Sequence, residues 1–243
     1  MKTAVKYFLY DLKKVIFIFF LVYTFFILTG NLLVATTDSS GSAINFNGTN
    51  SSIVLMNFIL GLVVFKEYFW MFTQNGLSRK TYFKSCLVSF LLLDIGMAII
   101  SLILTVILQP LGFVSEDLTT AFLAAFYPAL SENVVLESIL NFLFNILIFY
   151  LSFILGYFLG TLFYRAGKFG KILIAAGLPV TLFVLLPVSY NFIAPFWNGF
   201  AKVLLTLLGR NTGNPLFSFL TFSLVTILLI ICSYRLLKKA EIS

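Results

Sequence analysis

Apolar residues in this chain come in long unbroken runs, not in the alternation of a half-buried strand or the stripe of a soluble helix. The runs lie at residues 15–35, 53–72, 86–108, 139–164, 172–193 and 216–234. Each is close to the roughly 20 residues that carry an α-helix across about 30 Å of hydrocarbon. They are continuously apolar and about twice the length of a barrel strand, which excludes a transmembrane β-barrel. The pattern predicts an all-α integral membrane protein with six transmembrane helices, forming one transmembrane domain over residues 1–243. Pro110 marks the end of the third span, and Pro179 and Pro187 predict a kink or break in the fifth.

The segments between the runs differ in character. Residues 36–52 are rich in Ser, Thr, Asn and Gly, and residues 109–137 are acidic. Residues 195–215 are too apolar for a simple loop and too short to span twice. Phe196, Trp197 and Phe200 with Lys202 suggest a re-entrant or interfacial element there.

Charge then gives the orientation. Lys2, Lys6, Lys13 and Lys14 precede the first run, Arg79, Lys80 and Lys84 follow the second, Arg165, Lys168 and Lys171 follow the fourth, and Arg235, Lys238 and Lys239 follow the sixth. Of the 16 basic residues this leaves Lys66 inside a span and only Lys202 and Arg210 on the opposite side. Asp38, Glu116, Asp117, Glu132 and Glu137 all fall on that opposite side. The basic side is expected to be cytoplasmic, with both termini there.

Composition sharpens the picture. The chain has 243 residues, 60% of them hydrophobic and 10% charged, with a net charge of +7. Soluble domains carry about a quarter charged residues, so this apolar surplus calls for lipid as solvent. No extramembrane domain is left over. The first run is too long for a signal-peptide core, and no small-residue cleavage site follows it. Histidine is absent, and Cys86 and Cys232 fall far apart in apolar runs, so neither a metal site nor a disulfide is expected. The 30 Phe residues are read mainly as lipid-facing.

Several residues stand out against this background. Residues 1–14 set apolar side chains among four lysines and are read as an interfacial helix, or else as a positive flank that fixes topology. Asp94 falls near the middle of the third span, where an ionisable group costs several kcal/mol unless it is paired, hydrated or protonated. It is either a functional site or a bond between helices that fixes packing. Lys66 and Glu67 lie in the cytoplasmic half of the second span. Being adjacent, they point in different directions, and Lys66 is placed to snorkel. Together Asp94, Lys66 and Glu67 are the candidates for a transport pathway. Asn57, Asn141 and Asn145 read as bonds between helices, and Gly156 with Gly160 as a small-xxx-small contact. The sequons at Asn47 and Asn50 fit an exposed outer loop.

Catalytic constellations are missing. There is no HExxH, no Ser with a candidate His, and no second intramembrane Asp to pair with Asp94. At Gly167-Lys168 a phosphate-binding loop fails, because Phe169 replaces Ser or Thr and Leu162 stands in the place of the first Gly. The chain is not expected to be an enzyme by itself.

The segment Asn75-Gly-Leu-Ser-Arg-Lys-Thr-Tyr-Phe and the tail Tyr234-Arg-Leu-Leu-Lys-Lys-Ala-Glu, set in this hydropathy layout, resemble the permease subunit of a bacterial type 2 ABC exporter of the Gram-positive type. The resemblance implies that the segment 72–84 is a coupling helix docking on a separate ATPase, through Thr73, Gln74, Asn75, Gly76, Leu77, Ser78, Arg79 and Lys80. Residues 1–14 would be a connecting helix, and 195–215 a re-entrant element at the outer end. Implied partners are two copies of an ABC ATPase, a second permease chain (identical or related) and the lipid bilayer, with no nucleic acid. ATP and Mg would be held by the ATPase, with no cofactor on this chain. The implied activity is export of an amphipathic or hydrophobic peptide, drug or lipid across the bacterial cytoplasmic membrane. Two other readings keep the same topology: a membrane scaffold or immunity protein without transport, and a gradient-driven secondary transporter using Asp94.

Overall fold

The computed structural model describes residues 1–37, 49–108, 127, 134–210 and 213–238. Nearly all of these residues are helical, with no strand among them. The long helices are α1 (Lys2–Thr37), α2 (Thr49–Gln74), α3 (Arg79–Leu108) and α4 (Val134–Arg165). Short helical pieces follow: α5 (Lys168–Ile172), α6 (Leu178–Val180), α7 (Leu186–Phe192) and α8 (Ala194–Leu207). The chain closes with α9 (Leu216–Lys238).

Five helices are long and apolar enough to cross a membrane, over Lys2–Thr29, Asn50–Gln74, Arg79–Leu104, Leu136–Arg165 and Leu216–Lys238. They coincide with five of the six apolar runs. The run at 172–193 is helical too, but as a patchwork. π-Helical turns at Leu173–Gly177 and Thr181–Leu185 separate α5, α6 and α7. Each lies just upstream of a proline, Pro179 or Pro187. A prolyl ring offers no N–H and crowds the carbonyl four residues back, and a widened turn is one way to absorb both effects without ending the helix.

α1 also departs from the sequence reading. No break separates residues 1–14 from the first apolar run; one helix of 36 residues, about 54 Å long at 1.5 Å per residue, covers both. Nothing in Asp11-Leu12-Lys13-Lys14 stops a helix. The buried stripe Ala4, Phe8, Leu12, Ile16 and Phe20 continues through the junction at four-residue spacing. The four lysines therefore sit on the first turns of the same continuous helix that carries the first apolar run.

α4 is the hub, packed on α2, α3 and α9. Its contact with α2 is backbone to backbone. A Cβ added at Gly61 would strike the Phe153 carbonyl and come within 2.7 Å of the Tyr157 nitrogen. One added at Gly156 would strike the Phe58 carbonyl, and one at Gly160 would lie 2.8 Å from that of Leu62. Gly156 and Gly160 are thus the small-residue contact expected, with Gly61 as its counterpart on α2. Higher up, Ser152 donates to the Val54 carbonyl at 2.7 Å. The pairs 54/152, 58/156 and 62/160 advance together, so α2 and α4 run parallel.

At the basic end the interior is built of rings. Phe8 packs on Tyr68, Phe72 and Tyr82 with centroids 4.8, 5.1 and 6.2 Å away. Phe90 stacks on Phe153 at 3.5 Å, and Phe83 meets Tyr234 of α9 at 5.4 Å. Phe8, Phe65, Phe69, Phe90 and Phe153 are fully buried. Phe17, Phe25, Phe26 and Phe163 are exposed. The phenylalanines thus divide between the interior and the outer surface: composition gives a count of rings, not the direction in which they point.

Away from the basic end, α8 folds back on α9. Gly209, with φ +70°, ends α8, and a Cβ there would sit 2.6 Å from that of Phe217. Thr221 donates to the Leu207 carbonyl and Ser218 to that of Leu208, at 2.7 and 2.9 Å. Tyr127 also donates to the Leu208 carbonyl. Residues 211 and 212 of the expected re-entrant segment, and Asn47, Asp38, Glu116, Asp117, Glu132 and Lys239, lie outside the described residues. Asn50 does not fit the exposed-loop reading: it is buried in the first turn of α2 and accepts from Ser101 at 2.9 Å.

Candidate functional site

The coupling segment is a tight turn joining α2 directly to α3, with no separate helix between them. Gly76 has φ +77°. The Leu77 amide bonds back to the Phe72 carbonyl at 3.0 Å and the Gly76 amide to that of Thr73 at 3.1 Å. These two bonds form the Schellman end of α2, with Leu77 folded against the aromatic interior beside Phe72. Ser78 then caps α3: its hydroxyl accepts from the Thr81 amide at 3.2 Å and lies 2.8 Å from the Thr81 hydroxyl. Asn75-Gly-Leu-Ser is a helix stop followed at once by a helix start.

The other predicted coupling residues surround this turn. The Thr73 hydroxyl is spent on the Phe69 carbonyl at 2.7 Å, and the Asn75 amide nitrogen on that of Met71 at 2.7 Å. Gln74, Asn75, Gly76, Ser78 and Lys80 are exposed. Arg79 reaches sideways, its guanidinium donating to the Lys238 carbonyl of α9 at 2.8 Å. Tyr68 on α2 donates to Asp11 on α1. The turn is therefore braced by α1 and α9 as well as by its own two helices.

Asp94 lies near the middle of the candidate span Arg79–Leu104 and is fully buried. Asn57 of α2 donates to its Oδ1 at 3.0 Å. Among the described residues, Asp94 Oδ2 and Asn57 Oδ1 have no hydrogen-bond partner. Two helical turns away on the same pair of helices, Ser101 donates to Asn50. Asp94 thus belongs to a polar seam between α2 and α3.

Lys66 and Glu67 are elsewhere. From Asn57 to Lys66 is nine residues, about half a turn out of phase at 3.6 residues per turn. Both line a cleft of ≈ 1110 Å³ between α2, α4 and the 168–192 segment. Arg165, Lys171 and Tyr164 share its polar part. The three pathway candidates do not form one site: Asp94, on α3, faces Asn57 of α2, while Lys66 and Glu67 face the cleft. Arg165 and Lys171 carry no sign in the sequence beyond topology, because their proximity to Lys66 arises from the parallel packing of α2 on α4. Asn145 Oδ1 is buried without a partner among the described residues, and the structure assigns it no role.

No protein-family model matches the chain, and no curated protein and no solved structure is significantly similar to it.

Proposed function

We propose that this chain is the transmembrane permease subunit of an ATP-driven ABC exporter in the bacterial cytoplasmic membrane. The proposal includes six spans with both termini cytoplasmic, the segment 168–192 being the fifth. Two permease chains, identical or related, would work with two ATPase subunits to export an amphipathic or hydrophobic substrate. The observation that carries the reading is the α2–α3 turn: a short exposed surface at the basic end, fixed by its own caps and braced by α1 and α9. A surface that is to receive a push and pass it to rigid helices needs these properties.

Reversing charge without disturbing the caps tests it. Gln74→Glu with Lys80→Glu leaves Gly76, Leu77 and Ser78 intact. The expected result is loss of a stoichiometric nucleotide-hydrolysing partner on purification in mild detergent, with membrane insertion unchanged. A partner retained in full, or a wild-type chain that purifies with none, overturns the assignment. The gradient-driven alternative rests on the unpaired Asp94 Oδ2, and it requires transport by the purified chain without ATP.

A further inference from the structure

The cleft beside Lys66 has a graded lining. At the basic end it presents Lys66, Arg165 and Lys171 against one carboxylate, Glu67. This leaves an excess of positive charge. Further along it becomes apolar, with Phe58, Leu62 and Leu159 facing Ile174, Ala175 and Pro179. From Lys66 to Phe58 along α2 is about 12 Å, and Lys171 to Pro179 covers a similar rise on the other wall. At ≈ 1110 Å³ the volume lies just above the range of about 300–1,000 Å³ usual for small-molecule pockets. It is too large and too apolar for a simple anion.

The walls explain why the cleft persists. One is α4 locked to α2 backbone to backbone through Gly61, Gly156 and Gly160. The other is the stretch with a π-helical turn at Leu173–Gly177, upstream of Pro179. Lys171 lies over the Phe163 ring at 5.9 Å, at the junction between the charged and apolar parts.

We propose that this cleft binds an anionic amphiphile, its phosphate or carboxylate head among Lys66, Arg165 and Lys171 and its acyl chain along Phe58, Leu159 and Ile174. The site is built within one chain and does not depend on the exporter reading. A bound anionic lipid of the bilayer and an exported anionic amphiphile would both use it.

The test uses the full chain in detergent, followed by native mass spectrometry during titration with phosphatidylglycerol, phosphatidylcholine or inorganic phosphate. Phosphatidylglycerol should bind in preference to phosphatidylcholine, and phosphate should fail to displace it. Arg165→Gln and Lys171→Gln should each weaken it about fivefold, while Lys84→Gln, outside the cleft, should not. Ala175→Phe should block binding with every charge in place. Equal binding of the two lipids, full displacement by phosphate, or the same loss from Lys84→Gln would each overturn the proposal. Should a variant fail to fold, a phosphatidylglycerol with a photoactivatable chain decides on the wild type. Labelling near Leu159 and Ile174 supports the site, and labelling confined to other helices refutes it. Transport assays then separate the two sources: displacement of bound phosphatidylglycerol by an exported compound marks the cleft as a substrate site, and its absence marks a lipid site.

Discussion

The guanidinium of Arg79, the first residue of α3, is hydrogen-bonded at 2.8 Å to the main-chain carbonyl of Lys238, the last residue of α9. A helix ends with unpaired carbonyls and the negative end of its dipole, and a cation is well placed there. The bond ties two parts of the basic face that are 159 residues apart in sequence.

Arg79→Ala should therefore loosen the end of α9. A hydrogen bond from a charged group contributes about 1.5–3 kcal/mol when well formed, and less at a wet surface. Amide exchange at residues 235–238 should rise, while α2 keeps its protection. Unchanged exchange there would mean that the Phe83–Tyr234 contact alone holds the tail.

The α2–α4 contact predicts a contrast between glycines. Gly156→Val must push two backbones apart and should cost at least about 2 kcal/mol. Gly96, mid-helix on α3, has nothing within 4 Å of an added Cβ. Gly96→Ala should be neutral or stabilise by about 0.5–1 kcal/mol. Thermal unfolding in detergent measures both, and similar losses would contradict the packing described.

Backbone shape, not contact, explains Gly76, since an added Cβ there also meets nothing. Asn enters the left-handed region more readily than a β-branched residue does. Gly76→Asn should lower the melting temperature less than Gly76→Val. The opposite order would show that the turn is held by something other than its dihedral angles.

Asp94 and Asn57 invite a double-mutant cycle. Asn57→Leu leaves a buried carboxyl without its donor and should cost about 1–3 kcal/mol. Adding Asp94→Leu should recover much of that loss, because an apolar pair needs no partner. Transport retained by the double variant would make Asp94 a packing residue. Transport lost with stability restored would give it a functional charge.

Five spans were legible in the sequence because a continuous apolar run of helix length has few other readings. The segment 168–192 was legible only as interrupted: Pro179 and Pro187 announce trouble without saying that π-helical turns absorb it. That α1 runs unbroken through residue 14 was not legible, because lysines mark an interface in a sequence whether or not the helix beneath them continues. Asn50 matched a sequon, and such a motif carries no information on burial. In Asn75-Gly-Leu-Ser the signals that end one helix and begin the next are plain, but they are silent on what meets the turn. The partner of Asp94 lies 37 residues away on another helix. The cleft could not be foreseen either, since it exists only once glycines set how closely α2 and α4 approach.

Asn50 and Asn57 are seven residues apart on α2, and their partners Ser101 and Asp94 are seven apart on α3. In an antiparallel pair that equal spacing fixes one register for both bonds. A slide of one helical turn, about 5.4 Å, would strip both rungs at once inside the span, whereas a small tilt about either rung would disturb each only slightly. The seam acts as a detent: α2 and α3 resist ratcheting past each other. A displacement applied to the turn at Gly76 would then move the two helices together, without slip between them.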